Sequence, residues 1–387
     1  MQVGVVHHSL EGKGGSGRLA INTIEVLKEM GFKVTLIISQ KPNLEKLKIT
    51  YNKNVQVDKI KSLFPMSIRS FGIYQRMLTM IPAALTKADL LIATHGDLLP
   101  YPFTNKCPLI NYCHFPALAL SMSEYVSRYQ KSLFWRAYFT PYQRMTKYLG
   151  RPSLLNGKIL TNSKFSRNAI RRFYPNVDPL VVYPCADTKS FKKALTSDHR
   201  EDKVLVLCRF TPEKLVENAL FLAKNIGIKI TIMGSLIPSN RFYYEHLLNM
   251  SKSLGIEDLV DFKPNATFNA IIDEMSKSKV YLHTMRGEHF GIAIVEAMSA
   301  GLIPVVPDYG GCAEFVPKEY QYDSMDTASS IIQSAFDAPF SERKRISDIA
   351  EMFSEDAFKA NMKKVVEKTL KEEEVAKKLQ SHLASEA

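Results

Sequence analysis

The chain has 387 residues, of which 45% are hydrophobic and 23% are charged, and its formal net charge is +12 at pH 7. This is an ordinary globular composition with enough apolar material for about two domain cores. No apolar run reaches the roughly 18 residues of a transmembrane helix, and the five cysteines have no disulfide or metal-binding spacing, so we expect neither a membrane-spanning nor a disulfide-stapled protein.

The first residues enter a strand pattern directly and do not resemble a signal peptide, so we expect a cytoplasmic protein. The excess of Lys and Arg favours an anionic partner, which could be nucleic acid, an anionic membrane surface or a phosphorylated ligand. The charge alone does not choose among these three.

The first strand pattern, at residues 3–6, is followed by a glycine-rich loop and a helical pattern at 19–30. Glycines in such a loop let backbone N–H groups approach an anion closely, which makes Gly14, Gly15 and Ser16 candidates for phosphate binding. The spacing is not G-x-G-x-x-G, however, and an ordinary strand-to-helix loop has the same pattern.

Further strand patterns lie at residues 34–39, 55–60, 89–93 and 109–113. The last two are followed by histidines, His95 and His114, and His7 and His8 follow the first strand. A histidine at the carboxyl end of a parallel strand is well placed to contact a ligand. A histidine that is satisfied within the structure fits the same pattern.

Residues 121–150 interleave aromatic side chains with Lys and Arg. This composition fits an interfacial helix on anionic lipid, with the cations at the headgroups. It also fits a surface that stacks single-stranded nucleic acid, or a buried aromatic stripe with a solvated basic face. The sequence matches no RNA-binding or helix-turn-helix module, so we do not expect a nucleic-acid partner.

A strand pattern at 158–161 ends at Asn162, a weaker candidate for ligand contact. The polar run at 196–202 predicts a linker. We therefore expect an N-terminal domain at 1–195, a second domain at 196–355 and a C-terminal helix at 356–387.

The second half restarts with a strand pattern at 204–207, which runs into Arg209 and Lys214. A diphosphate group needs cationic side chains of this kind, since Arg is a forked donor and Lys is a point charge. On its own, however, Arg-x4-Lys is a common surface pattern.

Residues 286–311 carry two carboxylates, Glu288 in a strand-to-helix loop and Glu296 in the first turns of the helix. Both can face the crevice at the carboxyl end of the strand, where ligands of parallel sheets bind. The helix N-terminus adds N–H groups that could bind an anion, those of Phe290, Gly291 and Ile292. The alternative is a surface acid followed by a Glu that favours the helix dipole.

This stretch, with its E-x7-E spacing and its Gly-Gly exit at 310–311, resembles the signature of the retaining nucleotide-sugar glycosyltransferases of family 4. The Tyr-Cys-His-Phe-Pro run at 112–116 resembles the matching motif of dolichol-pathway mannosyltransferases and their archaeal relatives. The resemblance covers nearly the whole chain and implies the GT-B fold, an α/β fold of two Rossmann-like parallel-sheet domains facing across a cleft. Alternating strand and helix patterns in both halves agree with it.

In such an enzyme, Glu296 would accept hydrogen bonds from the ribose hydroxyls and Glu288 would hold hydroxyls of the donor sugar. The departing diphosphate would be stabilised by two cations and two loop glycines: Arg209, Lys214, Gly14 and Gly15. His114 would position the sugar and the acceptor. The loop at Pro264 and Asn265 would approach the base.

The resemblance implies no metal ion and no cofactor besides the nucleotide sugar, with GDP-mannose favoured and a UDP-sugar possible. The favoured acceptor is a lipid-linked oligosaccharide, with the enzyme peripheral on the cytosolic face of a membrane and contacting it through residues 121–150. The alternatives are a soluble glycosyltransferase or phosphorylase that acts on a small metabolite, and a polyanion-binding protein without enzymatic activity.

Overall fold

Short apolar runs of the sequence form the strands of two parallel sheets, each in its own unit of the chain. The computed structural model describes residues 1–10, 14–51, 53–64, 72–98, 107–121, 132–196 and 199–386. Unit 1 comprises Met1–Cys185 and Asp356–Ala387, and unit 2 comprises Ala186–Glu355. The predicted α/β class with two parallel-sheet domains is confirmed.

Unit 1 contains a seven-stranded sheet in the order β3-β2-β1-β4-β5-β6-β7. The strands are β1 (Gln2–His7), β2 (Lys33–Gln40), β3 (Lys59–Phe64), β4 (Leu90–Ala93), β5 (Leu109–Cys113), β6 (Gly157–Thr161) and β7 (Leu180–Val181). All neighbouring pairs are parallel. The central strands are buried on both faces, which explains their continuous apolar sequence.

The prediction of a strand at residues 55–60 is wrong by four residues, because β3 runs from Lys59 to Phe64. Asp58 ends the preceding turn: its N–H donates to the carbonyl of Val34 and its carboxylate accepts from the Val34 N–H. The strand that follows is at the sheet edge and carries Lys59 and Lys61. Charged residues of this kind protect an edge from further pairing, and they obscure the apolar signal of the strand.

The helices of unit 1 are α1 (Gly15–Glu29), α2 (Leu44–Tyr51), α3 (Gly72–Leu78), α4 (Met80–Ala84), α5 (Leu133–Leu149), α6 (Lys164–Phe173) and, at the chain end, α14 (Glu355–Glu386). Helix α14 buries Phe358, Met362 and Val366 in the same core as α1. Lys359 of α14 pairs with Glu25 and Glu29 of α1, at 2.9 Å and 2.7 Å. The last helix is therefore part of the N-terminal fold unit.

Unit 2 contains a six-stranded parallel sheet in the order β10-β9-β8-β11-β12-β13. The strands are β8 (Glu201–Leu207), β9 (Lys229–Gly234), β10 (Val260–Pro264), β11 (Ser278–Leu282), β12 (Ile303–Pro307) and β13 (Gln321–Tyr322). The helices are α7 (Thr188–Phe191), α8 (Glu217–Ile226), α9 (Arg241–Ser253), α10 (Phe268–Lys277), α11 (Ile292–Ser299), α12 (Met325–Phe336) and α13 (Phe340–Ala350). The strand order reverses between β8 and β11, which is where ligands bind in such sheets.

A buried carboxylate, Glu274 of α10, ties this helix to three strands. It is 3% exposed, and its two oxygens lie 2.6 Å from Lys203 Nζ and 2.8 Å from Lys263 Nζ. Thr231 Oγ1 donates to it at 3.0 Å. Burial by itself would raise the pKa of Glu274, but the hydrogen bonds from Lys203 and Lys263 outweigh burial and lower this pKa to about 2.

We predict that Glu274→Gln lowers the free energy of unfolding by about 3 kcal/mol at pH 7, since it leaves two lysines without their buried partner. The folded pKa of Glu274 lies below the unfolded value, so its stabilisation is complete above the unfolded pKa of 4.5 and is lost as the pH falls to about 2. The difference between variant and wild type should therefore shrink over that range in urea titrations.

The matched control is Glu245→Gln, which breaks the exposed Arg241–Glu245 pair. It should change the unfolding free energy by less than about 0.5 kcal/mol. Equal losses in the two variants would contradict a structural role for the Glu274 network.

Candidate functional site

In unit 2, the loops after β8 and β11 bring one ion pair to the switch point of the sheet. Lys214 Nζ lies 2.6 Å from Glu288 Oε2, and the two side chains are only 13% and 17% exposed. The Thr284 hydroxyl donates to the Lys214 carbonyl at 2.5 Å, which fixes the backbone of the lysine against the end of β11. His283 Nε2 lies 3.4 Å from the same Glu288 oxygen.

The electrostatics of this cluster keep Glu288 ionised. Burial alone would raise the pKa of Glu288, but the Lys214 ammonium and His283 outweigh it and hold this pKa well below its usual range. Burial lowers the pKa of His283, and it lowers the pKa of His289 to about 4. At neutral pH, the Glu288 carboxylate is therefore anionic, and the His283 and His289 imidazoles near it are uncharged.

The Gly-Gly exit holds the backbone of Glu288 in place. The Gly311 N–H donates to the Glu288 carbonyl at 2.6 Å, and the Gly287 N–H donates to the Tyr309 carbonyl at 2.9 Å. A methyl group on Gly311 would overlap the carbonyl oxygen of His289. Only glycine lets the two backbones approach so closely, which gives this part of the signature a steric cause.

Helix α11 begins directly after this loop, as predicted. Gly291 caps it with φ of +96°, and Ile292 is its first residue. The Phe290 ring is buried against Phe315 and Phe353, at centroid distances of 5.1 Å and 5.3 Å. Phe290 therefore anchors the loop with its ring, and only its backbone is available as a candidate ligand contact.

Glu296 lies in the second turn of α11 and is half-buried. The charges of Glu296 and Glu288 both raise the pKa of Tyr281, although burial is the larger cause. Tyr281 belongs to β11, and its hydroxyl donates to the carbonyl of Leu207 at the end of β8. Glu288 and Glu296 therefore both lie close enough to Tyr281 to raise its pKa.

Arg209 differs from Lys214 in its surroundings. Its guanidinium is 65% exposed and lies 3.7 Å from Glu213 Oε1. Lys214 is held against Glu288, whereas Arg209 extends into solvent at the end of β8.

The two weaker candidates of unit 2 lie at the end of β10. Pro264 pairs with Gly234 of β9. The Asn265 amide is already engaged, since it accepts from the Leu236 N–H at 2.9 Å and donates to the Leu236 carbonyl at 3.1 Å. Asn265, with φ of +56°, thus joins the loops after β9 and β10.

In unit 1, the glycine-rich loop leads into α1. Gly14 is the extended N-cap of this helix, with open space around its α-carbon, and Gly15 is the first helical residue. Ser16 is exposed. Gly17 has the stricter requirement, because a methyl group there would overlap the Tyr51 hydroxyl. No local sequence pattern indicates this contact, since Tyr51 lies on a different helix, α2.

Three predicted histidines come together because β1, β4 and β5 are neighbours in the sheet. His7 Nδ1 lies 3.1 Å from the Thr94 carbonyl, and His95 Nε2 lies 2.9 Å from Thr79 Oγ1. The His114 N–H donates to the Gly96 carbonyl at 3.0 Å. Burial lowers the pKa of His7 to about 3 and holds the pKa of His95 well below its usual range, so both imidazoles are neutral at pH 7.

The loop that carries His114 is braced by Asp97, which sequence reasoning did not identify as a candidate. One oxygen of this buried carboxylate accepts from the Leu98 N–H at 2.8 Å and the Ala117 N–H at 2.9 Å. The other accepts from the Tyr142 hydroxyl at 2.6 Å. Its position directly after a strand end, in the run Thr-His-Gly-Asp, was the available signal.

Asn162 lies at the end of β6, beside β5. It is buried, and its Oδ1 accepts from the Ser163 hydroxyl at 3.1 Å. Ser163 in turn caps α6. Asn162 therefore shares the carboxyl edge of the sheet with the histidines, although its side chain is partly engaged in the start of this helix.

The basic aromatic segment is a helix, α5, from Leu133 onward; residues 122–131, with Tyr125, Arg128, Tyr129 and Lys131, lie outside the described part of the chain. One face of α5 buries Phe139 and Tyr142 against α3. Another face exposes Leu133 and Phe134, at 81% and 70%. The segment thus combines a buried aromatic stripe with an exposed apolar one.

No helix within the described residues is both long enough and apolar enough to cross a membrane. In the same residues, no group of three or more His, Cys, Asp or Glu side chains is arranged to hold a metal ion.

Two family models match successive parts of the chain. The model described as "Glycosyltransferase Family 4" matches residues 13–190, and the model described as "Glycosyl transferases group 1" matches residues 187–351. The second match contains the Lys214–Glu288 pair and α11.

Curated relatives share the description GDP-Man:Man(3)GlcNAc(2)-PP-Dol alpha-1,2-mannosyltransferase. The Dictyostelium discoideum protein is 28% identical over 292 residues, which are 64% of this chain and 56% of that protein. The Homo sapiens protein is 24% identical over 327 residues, covering 73% of this chain and 66% of the relative. The chain thus spans less than two thirds of the length of these two relatives.

Solved structures share the fold. Anabaena HepE in complex with UDP has a TM-score of 0.69 at 16% identity, covering 95% of this chain and 100% of that one. WaaG, a glycosyltransferase involved in lipopolysaccharide biosynthesis, has a TM-score of 0.64 at 13% identity, covering 92% of this chain and 95% of its own.

We predict that Gly311→Ala lowers the free energy of unfolding by about 2 kcal/mol or more, because the new methyl group must displace the backbone at His289. Gly72→Ala is the matched control, since its methyl group would meet only His8 Nε2, at 3.9 Å. That variant should stay within about 1 kcal/mol of wild type. Chemical denaturation measures both, and a neutral Gly311→Ala would show that the close approach is not required.

Proposed function

Because the chain belongs to the family 4 glycosyltransferases, we propose that it moves a hexose, with mannose favoured, from a nucleotide-diphosphate sugar to a lipid-linked oligosaccharide or another membrane-associated acceptor. Transfer would retain the configuration of the donor sugar. The observation that carries this proposal is the Lys214–Glu288 ion pair at the switch point of unit 2.

The donor would bind through charges at the carboxyl ends of β8 and β11. Lys214 has three N–H donors: one goes to Glu288 and a second points to the weakly accepting Met285 sulfur at 3.4 Å, so the third can reach a diphosphate. Arg209, exposed at the end of β8, would add a forked donor to the same anion. These cations would stabilise the charge that develops as the nucleotide diphosphate departs.

The carboxylates would fix the rest of the donor. Glu288 is ionised and can therefore only accept hydrogen bonds, which suits hydroxyls of the transferred sugar. Glu296 would accept from the two ribose hydroxyls. The N-terminus of α11, at Phe290, Gly291 and Ile292, would favour an anionic group of the donor.

Unit 1 would supply the acceptor side. His114 would position the sugar and the acceptor hydroxyl, and Asp97 would hold the loop that carries it. Gly14 and Gly15, at the N-terminus of α1, would assist with the diphosphate.

The curated relatives support GDP-mannose as donor and a lipid-linked glycan as acceptor, since both are named in their descriptions. The exposed apolar face of α5 supports a peripheral position on a membrane, and we propose the cytosolic face. The same helix exposes Arg136, Arg144 and Lys147, and cations and exposed apolar side chains occur together in helices that lie on anionic lipid.

We predict that Arg209→Ala lowers kcat for transfer from GDP-mannose by about a hundredfold, because it removes a charge that stabilises the leaving group. The melting temperature should not change, since the side chain is 65% exposed. Arg241→Ala is the matched control: it removes an exposed arginine that is likewise paired with a glutamate four residues later. Wild-type turnover in Arg209→Ala would remove this residue from the donor site.

For the membrane contact, we predict that Phe134→Ser weakens co-sedimentation with anionic phospholipid vesicles about tenfold, because it removes an apolar side chain that would insert below the headgroups. The control is Phe242→Ser, which removes a phenylalanine that is 85% exposed on α9 of unit 2. Equal binding of both variants and wild type would place the membrane contact elsewhere.

A further inference from the structure

One face of helix α3 lies over the carboxyl edge of the unit 1 sheet. Residues 72, 75 and 76 of α3, and residue 79 directly after it, follow the i, i+3, i+4, i+7 spacing of a single helix face, and the Thr79 N–H donates to the Gln75 carbonyl at 3.1 Å. A methyl group on Gly72 would lie 3.9 Å from His8 Nε2, after β1. Gln75 Oε1 accepts from Gln40 at the end of β2, at 3.3 Å, and Thr79 lies 2.9 Å from His95, after β4.

Arg76 shares this face and is half-buried. In the described part of the chain, no carboxylate lies within the 4.0 Å of an ion pair with its guanidinium. Burial raises the pKa of Asp97, and the Arg76 charge lowers it by a smaller amount. The Asp97 oxygens are engaged by the Leu98 and Ala117 N–H groups and by the Tyr142 hydroxyl. A partly desolvated cation without a counterion destabilises the fold, and it is the group that a bound anion would stabilise.

The neighbours of Arg76 are neutral hydrogen-bonding groups. The Thr79 hydroxyl donates to the Arg76 carbonyl at 2.6 Å, so His95 Nε2 is the donor to Thr79 and His95 Nδ1 is left as an acceptor. That Nδ1 atom is buried and has no hydrogen-bond partner among the residues that the structure describes. Burial and the Arg76 charge also lower the pKa of His8 to about 4. A half-buried arginine whose neighbouring imidazoles are neutral fits an anionic group such as a phosphate.

This group lies close to His114. Gly96 follows His95 directly, and a methyl group on Gly96 would overlap the His114 ring. The Arg76 carbonyl bonds Thr79, Thr79 bonds His95 after β4, and the next residue, Gly96, packs on His114 after β5; β4 and β5 are neighbouring strands. A phosphate bound at Arg76 would therefore lie at the same edge of the sheet as a hydroxyl that His114 positions.

We propose that Arg76, with His8 and His95, forms an anion subsite for the acceptor, so that the acceptor carries a phosphate or diphosphate within one or two sugars of the hydroxyl that receives the hexose. This inference rests on the proposed function and narrows its acceptor. A long oligosaccharide would keep its diphosphate out of reach of Arg76.

The kinetic test uses four acceptors: one sugar and five sugars, each carried on a short polyprenyl diphosphate or on an uncharged alkyl chain. For the single sugar, we expect the diphosphate to raise kcat/KM at least tenfold in wild type, and Arg76→Gln to abolish this advantage. For the pentasaccharide, the diphosphate should give no advantage in either protein. An equal effect of Arg76→Gln on all four acceptors, or none on any, would overturn the subsite.

Two further measurements separate this subsite from a structural arginine and from a phospholipid contact. Arg76→Gln should melt no lower than wild type, since it removes a cation that has no carboxylate partner among the described residues, and it should bind anionic vesicles as wild type does. Arg171→Gln, which removes an exposed arginine of α6, is the matched control. A lower melting temperature with unchanged acceptor selectivity, or a loss of vesicle binding, would contradict the proposal.

A binding experiment tests the subsite independently of transferase activity. In a chain that carries Arg209→Ala and Lys214→Ala, inorganic diphosphate should still bind, as measured by calorimetry, and adding Arg76→Gln should abolish that binding. If binding persists, the subsite is wrong even though the enzyme transfers mannose. If binding is lost and no acceptor is used, the subsite stands and the proposed function fails.

Discussion

The ion pair between Lys214 and Glu288 is the interaction on which the proposed donor site depends. It joins the loop after β8 to the loop after β11, at the place where the strand order of unit 2 reverses. In this mostly buried pair, each charge offsets much of the desolvation cost of the other. The pair therefore keeps Glu288 ionised and Lys214 positioned before any ligand binds, which is the preorganisation that charge stabilisation requires.

Unit 1 offers a different chemistry at the same edge of its sheet. His7 and His95 are buried and neutral, and the Asp97 carboxyl group accepts hydrogen bonds from its own loop and from α5. Such groups orient hydroxyls without competing for a cation. Arg76 is the exception, a half-buried charge without a described carboxylate partner. This division of charge supports a donor bound by unit 2 and an acceptor bound by unit 1.

The strands and the positions of the two unit 2 carboxylates could be predicted from sequence, because local sequence patterns determine them. Apolar runs marked the parallel strands, and the E-x7-E spacing placed Glu288 and Glu296 around the start of α11. The sequence could not predict contacts between distant elements. Lysines in the edge strand β3 obscured its apolar pattern, so its bounds were predicted wrongly. The requirement for glycine at position 17 depends on Tyr51, which belongs to another helix. The role of Asp97 depends on Tyr142, 45 residues later.

The most direct test of the proposed function is the anomeric configuration of the product formed from GDP-mannose, which carries an α-linked mannose, and a polyprenyl-diphosphate-linked acceptor. NMR spectroscopy of the new glycosidic carbon distinguishes the two outcomes. We predict an α-linked mannose on the acceptor, as retention requires. A β-linked product, or release of free mannose without transfer, would contradict the account of this protein as a retaining mannosyltransferase.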